Sequence, residues 1–377
     1  MGRRSQRSAR WPTPGEASPP SAKMPRAKST SWPSMGWCTG CGLRHSCGAC
    51  GLCYTAPNLS PKDAAVRTVV YAGNGRFSLD PEMPLPKLDE HDVLVKVRYC
   101  GICGSDLHHF QATGYAERIR VLGHEISGRV EDIGRGVGKV ERGDRVTALC
   151  DGGYSEYVKV IQDDVIPLPD HVTYEQAALS EPLAIGLRSV RDSGLRLGDK
   201  AAIVGTGPIG LYTLAAAKAA GALEVYVSEI SPARREAAKR MGATAVFDPK
   251  SQDVPGELKR RGVEGVDVVY DCAGARGTLK QSIDMLKRGG TVVVVGLSGK
   301  PDEIDTRWFF RAGKVMAIPA AKELWPMSVE LIAKGKIDPA AIISNIITLE
   351  ELPDYMQALQ KPDAHVQVLV DPWGKRF

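Results

Sequence analysis

No run of about eighteen apolar residues occurs in the 377-residue chain, and the most apolar helical stretch, Ile209 to Leu223, is interrupted by Lys218, so no membrane span is expected. Acid is nearly missing from residues 1–62, which set nine Lys or Arg against Glu16 alone, while the remainder holds 40 basic and 43 acidic residues. The net charge of +5 therefore belongs to the leading segment. The body is mildly acidic and gives no electrostatic case for nucleic acid. A hydrophobic signal segment is also lacking, and four of the nine cysteines (Cys100, Cys103, Cys150, Cys272) are scattered through the body. That pattern argues against a secreted disulfide framework and makes the cytoplasm, a reducing compartment, the expectation. With 43% hydrophobic and 25% charged residues, a chain of this length suffices for two domains with substantial cores.

What is present is concentrated. Cys103-Gly104-Ser105-Asp106-Leu107-His108, followed by Gly123-His124-Glu125, brings soft sulfur, imidazole nitrogen and carboxylate oxygen into one short span. Catalytic Zn²⁺ takes three protein ligands of these kinds and keeps one position for water or substrate. Glu181, in Ser180-Glu181-Pro182, offers a further ligand.

A second stretch, Gly205-Thr206-Gly207-Pro208-Ile209-Gly210, follows a strand-like run and opens a helix-like one. Glycines there let the backbone approach a pyrophosphate, and the helix N-terminus offers free N–H groups. Glu229 falls at the end of the next strand, where a carboxylate bonds ribose hydroxyls and repels a 2′-phosphate, which favours NAD over NADP. Arg234 and Arg235, close by, weigh toward a phosphate pocket.

Around these motifs, residues 66–160 alternate short β-branched runs with Gly, Pro and Asp, the pattern of a twisted, partly antiparallel barrel-like domain. Helical spacing runs from Tyr174 to Arg191. Strands are then expected at Ala201–Val204, Glu224–Ser228, Ala243–Phe247, Val266–Asp271, Thr291–Leu297 and Val315–Pro319, with helices near 208–220, 232–241, 255–261 and 277–288 between them. Apolar strands separated by helices imply a parallel sheet covered on both faces. Beyond residue 320 come a helix to Lys336, a strand from Ile342 to Leu349, a helix from Leu352 to Leu359 and a strand from Val366 to Val370.

The motifs Cys-Gly-Ile-Cys-Gly-Ser-Asp (100–106), Gly-His-Glu (123–125), Gly-Asp-Arg-Val (143–146), Ser-Glu-Pro-Leu-Ala (180–184) and the glycine turn at 205–210 stand in one order across residues 66–370. In that order they resemble the medium-chain zinc-dependent alcohol dehydrogenases, nearest the polyol and secondary-alcohol branch of sorbitol, butanediol and threonine dehydrogenases. The resemblance implies an α/β fold, a Rossmann doubly wound parallel sheet plus a GroES-like β-rich catalytic domain. The expected divisions are 63–182 catalytic, 183–320 NAD-binding and 321–377 returning to the catalytic domain. The implied reaction oxidises a small-molecule polyol or secondary alcohol to the ketone, reversibly, with hydride passing to NAD, in a homodimer or homotetramer joined at the edge strand Val315–Pro319.

The resemblance also assigns roles. Cys103 and His124 are zinc ligands, with Glu125 and Glu181 both carried as the third, one direct and the other acting through water. Asp106 accepts the N–H of the ligand histidine, Ser105 sits beside the substrate oxygen, and His108 passes the proton toward solvent. His109 stands where polyol dehydrogenases often carry Tyr. Gly205, Gly207, Pro208, Ile209, Gly210, Glu229 and Arg234 are the cofactor-binding set. Only Thr147 to Gly152 follow the Gly-Asp-Arg-Val motif, where many relatives insert a lobe with a structural zinc, so one catalytic zinc is expected in the body and no structural one. Two rivals remain: a zinc-free quinone or enoyl reductase of the same fold, and a non-catalytic binding protein using the cysteine-rich segment.

Residues 1–62 do not match the family. They are rich in Pro, Ser and Arg and are read as disordered. Gln6 stands where a myristoylation signal takes Ser or Thr; the Arg and Ser content suits an organelle transit peptide, but the prolines spoil an amphipathic helix. Cys38, Cys41, Cys47, Cys50 and Cys53 resemble zinc-knuckle or iron-sulfur spacing, with Pro57 where a ferredoxin run has its fourth cysteine. Two readings stand: an extension outside the working enzyme, or a metal-binding appendage.

Overall fold

The computed structural model describes residues 65–71, 75–111, 121–296, 304–361 and 365–374, with side chains at 109–111 left aside. The expectations for residues 1–62 and for the His109 side chain lie outside the described residues. In chain order the first elements are β1 (Ala65–Tyr71), β2 (Phe77–Pro84), β3 (Asp92–Gly101), α1 (Gly104–Gln111), β4 (Glu125–Ile133), β5 (Arg145–Leu149), β6 (Tyr157–Ile161) and β7 (Val165–Pro167). The helices α2 (Tyr174–Ala178) and α3 (Ser180–Ser193) follow. Then come β8 (Lys200–Val204), α4 (Pro208–Ala219), β9 (Glu224–Ser228), α5 (Pro232–Arg240), β10 (Ala245–Phe247), α6 (Val254–Arg260), β11 (Val266–Asp271), α7 (Thr278–Met285), β12 (Leu286–Val294) and β13 (Lys314–Ala317). Last are α8 (Trp325–Ala333), β14 (Ile343–Thr348), α9 (Leu352–Ala358) and β15 (Gln367–Asp371).

The apolar runs after residue 200 become a six-stranded sheet of order β10-β9-β8-β11-β12-β13, parallel throughout. This is the doubly wound order, whose direction reverses between β8 and β11, and ligands in such sheets bind at the carboxyl ends beside that reversal. Gly205 lies there, immediately after β8. Ala201, Ile203, Tyr270 and Val293 on one face, and Ala202, Val269 and Val292 on the other, are buried in separate clusters, as a sheet covered on both sides requires.

The second sheet has seven strands, ordered β14-β15-β3-β4-β5-β7, with β6 also on β3. One edge of β3 pairs with β4; its other edge is shared, Asp92 to Lys96 with β6 and Cys100 to Gly101 with β15. Strands β14 and β15, from the chain after residue 320, thus belong to this seven-stranded sheet. Tyr99 and Leu369 from this sheet share one buried cluster with Leu183, Leu211 and Trp325, which joins the two sheets through a common core.

Four local expectations need correction. The run Tyr174 to Arg191 is two helices, broken at Leu179 (φ −93°, ψ 7°). Pro182 has no N–H to give the Ala178 carbonyl, so the helix cannot pass through unchanged. The helix expected to 288 stops at Met285, and the strand begins at Leu286, four residues before Gly290, because the Gly289-Gly290 pair favours leaving the helix (Gly289 φ +81°). The helix expected from 320 to Lys336 is α-helical over Trp325–Ala333, entered through a short 3₁₀ turn. Among the described residues, strand β1 pairs with the unanticipated β2 in a separate two-stranded sheet and meets the segment before β6 through an isolated bridge from Thr68 to Ser155. Pro81 and Pro84 hide β2 from a sequence reading, since Pro is tolerated only at strand edges.

Candidate metal and cofactor site

The register of β3 and β4 builds the first half of the site. Gly101 pairs with Glu125, so Cys103, two residues beyond one strand, and His124, one before the other, emerge at the same end. Ligand atoms of Cys103, His124 and Glu125 lie within 4.8 Å of one another. Gly101 leaves room for that carboxylate: a Cβ there would collide with Glu125 Oε2 and push the side chain aside. That oxygen is buried and has no hydrogen-bond partner, although Glu125 is only 2% exposed. A buried carboxylate oxygen without a donor is costly unless a cation takes it.

The electrostatics point the same way. Burial above all pushes Glu125 up to about 8; the His124 charge pulls it down while Glu181 and Asp106 push it up. Burial, with the negative charges of Glu125 and Asp106, also raises the Cys103 thiol against the pull of His124. Burial opposes the charged form of His124, but its contacts with Asp106 and Cys103 outweigh that and raise it. Two acids that cannot comfortably ionise together, facing one imidazole, are what a cation's charge would relieve. One sulfur, one nitrogen and one oxygen fit zinc in a site with an open position.

Glu181 occupies the first turn of α3, where the helix dipole favours a carboxylate. Burial raises its pKa and the His124 charge lowers it, so it belongs to the same electrostatic neighbourhood, but it is not in the 4.8 Å set. Asp106, 1% exposed, accepts from Tyr154 OH at 2.7 Å, Cys103 N at 3.1 Å and Gly123 N at 3.4 Å. Its Oδ1 faces His124 Nδ1 at 3.7 Å, which leaves Nε2 turned to the other side of the ring. Ser105 is half-buried and His108 exposed, three positions apart on α1. Tyr154 was not anticipated; it is fully buried and 48 residues from its carboxylate partner, so only the neighbouring glycines Gly152 and Gly153 hint at a special turn.

The cofactor half is built on β8 and β9. Gly205 turns with φ +84°, and a Cβ on Gly210 would collide with the Gly205 carbonyl, so the turn closes tightly into α4 with Pro208 in its first turn. Pro208 and Ile209 thus begin a helix whose N-terminus faces the turn. Glu229 Oε2 accepts from Thr206 N at 2.6 Å and Thr206 Oγ1 at 3.2 Å, and Oε1 accepts from Ser231 N at 2.8 Å. The carboxylate is held by the turn itself, and Oε1 keeps a lone pair for another donor. Arg234 Nη1 lies 3.8 Å from the position of a Cβ on Gly207, beside the turn. Arg235 is committed elsewhere: it donates to the Glu229 and Ile230 carbonyls and pairs with Asp248 at 3.1 Å. Helix α3, with Glu181 at its start, packs on α4 where Gly186 meets the Tyr212 backbone, which ties the two halves together.

Comparison with known proteins gives concordant matches. Residues 89–170 match the alcohol dehydrogenase GroES-like domain and residues 208–333 the zinc-binding dehydrogenase family. The chain is 33% identical over 328 residues to sorbitol dehydrogenase of Bacillus subtilis (strain 168), spanning 77% of this chain and 93% of that protein. It is 34% identical over 327 residues to (R,R)-butanediol dehydrogenase of the same strain, spanning 76% and 94%. Among solved structures, 2R,3R-butanediol dehydrogenase from Bacillus subtilis superposes with a TM-score of 0.74 at 31% identity, covering 82% of this chain and 100% of that one. A zinc-binding dehydrogenase from Sinorhizobium meliloti 1021 bound to NADP gives 0.75 at 32%, with the same coverage.

Proposed function

The chain belongs to the medium-chain zinc-binding alcohol dehydrogenases, in their polyol and secondary-alcohol branch, and from that membership we propose that it oxidises a small polyol or secondary alcohol to the ketone, reversibly, using one zinc and NAD. The observation that carries the zinc is the Cys103, His124 and Glu125 set with the unpartnered Glu125 oxygen. In this reading Glu125 is the direct carboxylate ligand and Glu181 the outer one. Bound there, zinc supplies a Lewis acid that makes a hydroxyl acidic near neutral pH, and NAD supplies the hydride acceptor.

The chain's own residues do the rest. Asp106 holds Cys103 and Gly123 through their backbone N–H groups and keeps the His124 ring turned, as outer partners of metal ligands do. Ser105 would receive the proton of the substrate hydroxyl and the exposed His108, three positions further along α1, would hand it to solvent. Gly205 to Gly210 cradle the pyrophosphate on the start of α4, with Arg234 beside it. The divisions at 63–182, 183–320 and 321–377 remain our proposed domain limits. Strand β13 is an open edge of the parallel sheet, with exposed Phe309 and Phe310 just before it in the chain, and we place a homodimer or homotetramer contact there. Among the described residues no helix is long and apolar enough to cross a membrane. A reducing cytoplasm suits the unpaired Cys103.

The test offers vicinal diols, sugar alcohols and threonine with NAD and with NADP, alongside metal analysis. Alcohol-dependent NADH absorbance with zinc present is expected. A zinc-free protein that instead reduces quinones or enones favours the reductase reading. Glu229 should set the cofactor choice, since a carboxylate directly after β9 would repel a 2′-phosphate on a bound ribose. Glu229→Ala is expected to narrow the NAD preference in kcat/KM by about 10-fold or more, the scale of losing one charge contrast worth roughly 1.4 kcal/mol. An unchanged NAD-to-NADP ratio would remove Glu229 from that role.

A further inference from the structure

Behind the two carboxylates lies a polar chain that the chemistry above does not use. Ser180 and Ser328 are fully buried, Thr147 is 1% exposed and Trp325 2%. The indole N–H can only donate, and it donates to Ser180 Oγ at 2.8 Å. The Ser180 hydroxyl donates to the Ala177 carbonyl at 2.6 Å, and its carbonyl accepts from Ser328 Oγ at 2.6 Å. Thr147 Oγ1 lies 3.3 Å from Ser180 Oγ and 2.8 Å from the Ile126 carbonyl; the Ser180 proton being given to Ala177, the single Thr147 proton serves either of these two acceptors. Ile126 directly follows Glu125, and Ser180 directly precedes Glu181. The chain therefore begins on α8, passes through the first residue of α3 and β5, and ends on β4, reaching the residue next to each carboxylate.

Simple packing would be met by apolar groups. Val at 147, Ala at 180 and Phe at 325 would occupy similar space without polar groups to satisfy, and each buried hydroxyl or N–H is costly if its partner is lost. A fully satisfied buried network instead rigidifies and specifies one arrangement. We propose that Trp325, Ser180 and Thr147 are positioning residues that set Glu181 against Glu125, so that α8 fixes the spacing of the two carboxylates at the metal centre; this deepens the function proposed above and rests on it. With that spacing fixed, Glu125 stays in the ligand set and Glu181 outside it. Without it, Ser180 loses the donor that holds its hydroxyl, and Glu181 is free to exchange with Glu125.

The test loads the full-length chain with cobalt(II) as the probe and reads the thiolate-to-cobalt and d–d absorption, which report the ligand set. Cobalt affinity and the melting temperature of the metal-free protein are read beside it. Subtracting the Cys103→Ala spectrum isolates this site from Cys38, Cys41, Cys47, Cys50 and Cys53. Trp325→Phe and Thr147→Val are expected to shift the d–d bands and weaken cobalt binding about 10-fold, as loss of outer-shell support does, while Thr147→Ser keeps the unsubstituted spectrum. Unsubstituted bands in Thr147→Val, with cobalt affinity within about twofold, overturn the proposal even if melting falls. Should Trp325→Phe fail to fold, the Thr147→Val and Thr147→Ser pair decides alone. A missing thiolate-to-cobalt band in the unsubstituted chain instead overturns the metal centre itself, and the positioning proposal with it.

Discussion

Cys103→Ala is expected to abolish zinc-dependent alcohol oxidation while leaving a folded protein that still binds dinucleotide. The thiol is one of three ligand groups within 4.8 Å, and no other described cysteine belongs to that set. A metal acting as Lewis acid contributes several kcal/mol to the transition state, and each 1.36 kcal/mol is tenfold, so kcat/KM should fall by about 10³-fold or more. Folding should survive, because the Cys103 backbone N–H, not its sulfur, holds Asp106. The glycine turn is also built on separate strands, β8 and β9, with its own hydrogen bonds to Glu229. Zinc content, steady-state rates and quenching of NADH fluorescence read the three parts. Retained zinc and a rate within about tenfold would remove Cys103 from the ligand set.

Asp106→Ala is expected to act on stability as well as on metal. One buried carboxylate serves Tyr154 OH, Cys103 N and Gly123 N, and its loss leaves a fully buried phenol without an acceptor. A buried polar group stripped of its partner costs roughly 1–3 kcal/mol, and hydrogen bonds to a charge lie at the upper end. The metal-free protein should therefore lose about 3–5 kcal/mol in denaturant unfolding. Zinc affinity, measured by competition with a chelating dye, should drop by about 10–100-fold. Asp106→Asn keeps the shape and an acceptor, so most of the stability should return while the zinc affinity stays low. A loss below about 1 kcal/mol for Asp106→Ala would show that the three bonds are replaceable by water.

The parts of this molecule that sequence exposes are those with local cause. Apolar runs set the parallel sheet, and the glycine turn stands between a strand and a helix. The cluster at 103, 124 and 125 was legible because its residues sit in short motifs. Which of Glu125 and Glu181 lies within 4.8 Å of the other two groups was not. It depends on Gly101 facing Glu125 across β3 and β4, and register is a property of two strands, not of one. Tyr154 and Trp325 were hidden for a similar reason: their partners lie 48 and 145 residues away, and an aromatic residue in a buried run looks like ordinary core. The occupation of Glu229 by Thr206 and Ser231 was also beyond a motif reading, which places a carboxylate near ribose without counting the donors already there.

Chelation followed by reconstitution tests the central claim most directly. The purified chain is assayed for alcohol-dependent NADH formation, stripped of metal, assayed again, and then given zinc. The account predicts that the rate vanishes on stripping, that NADH still binds, and that zinc restores oxidation. An undiminished rate in fully stripped, folded protein would contradict it.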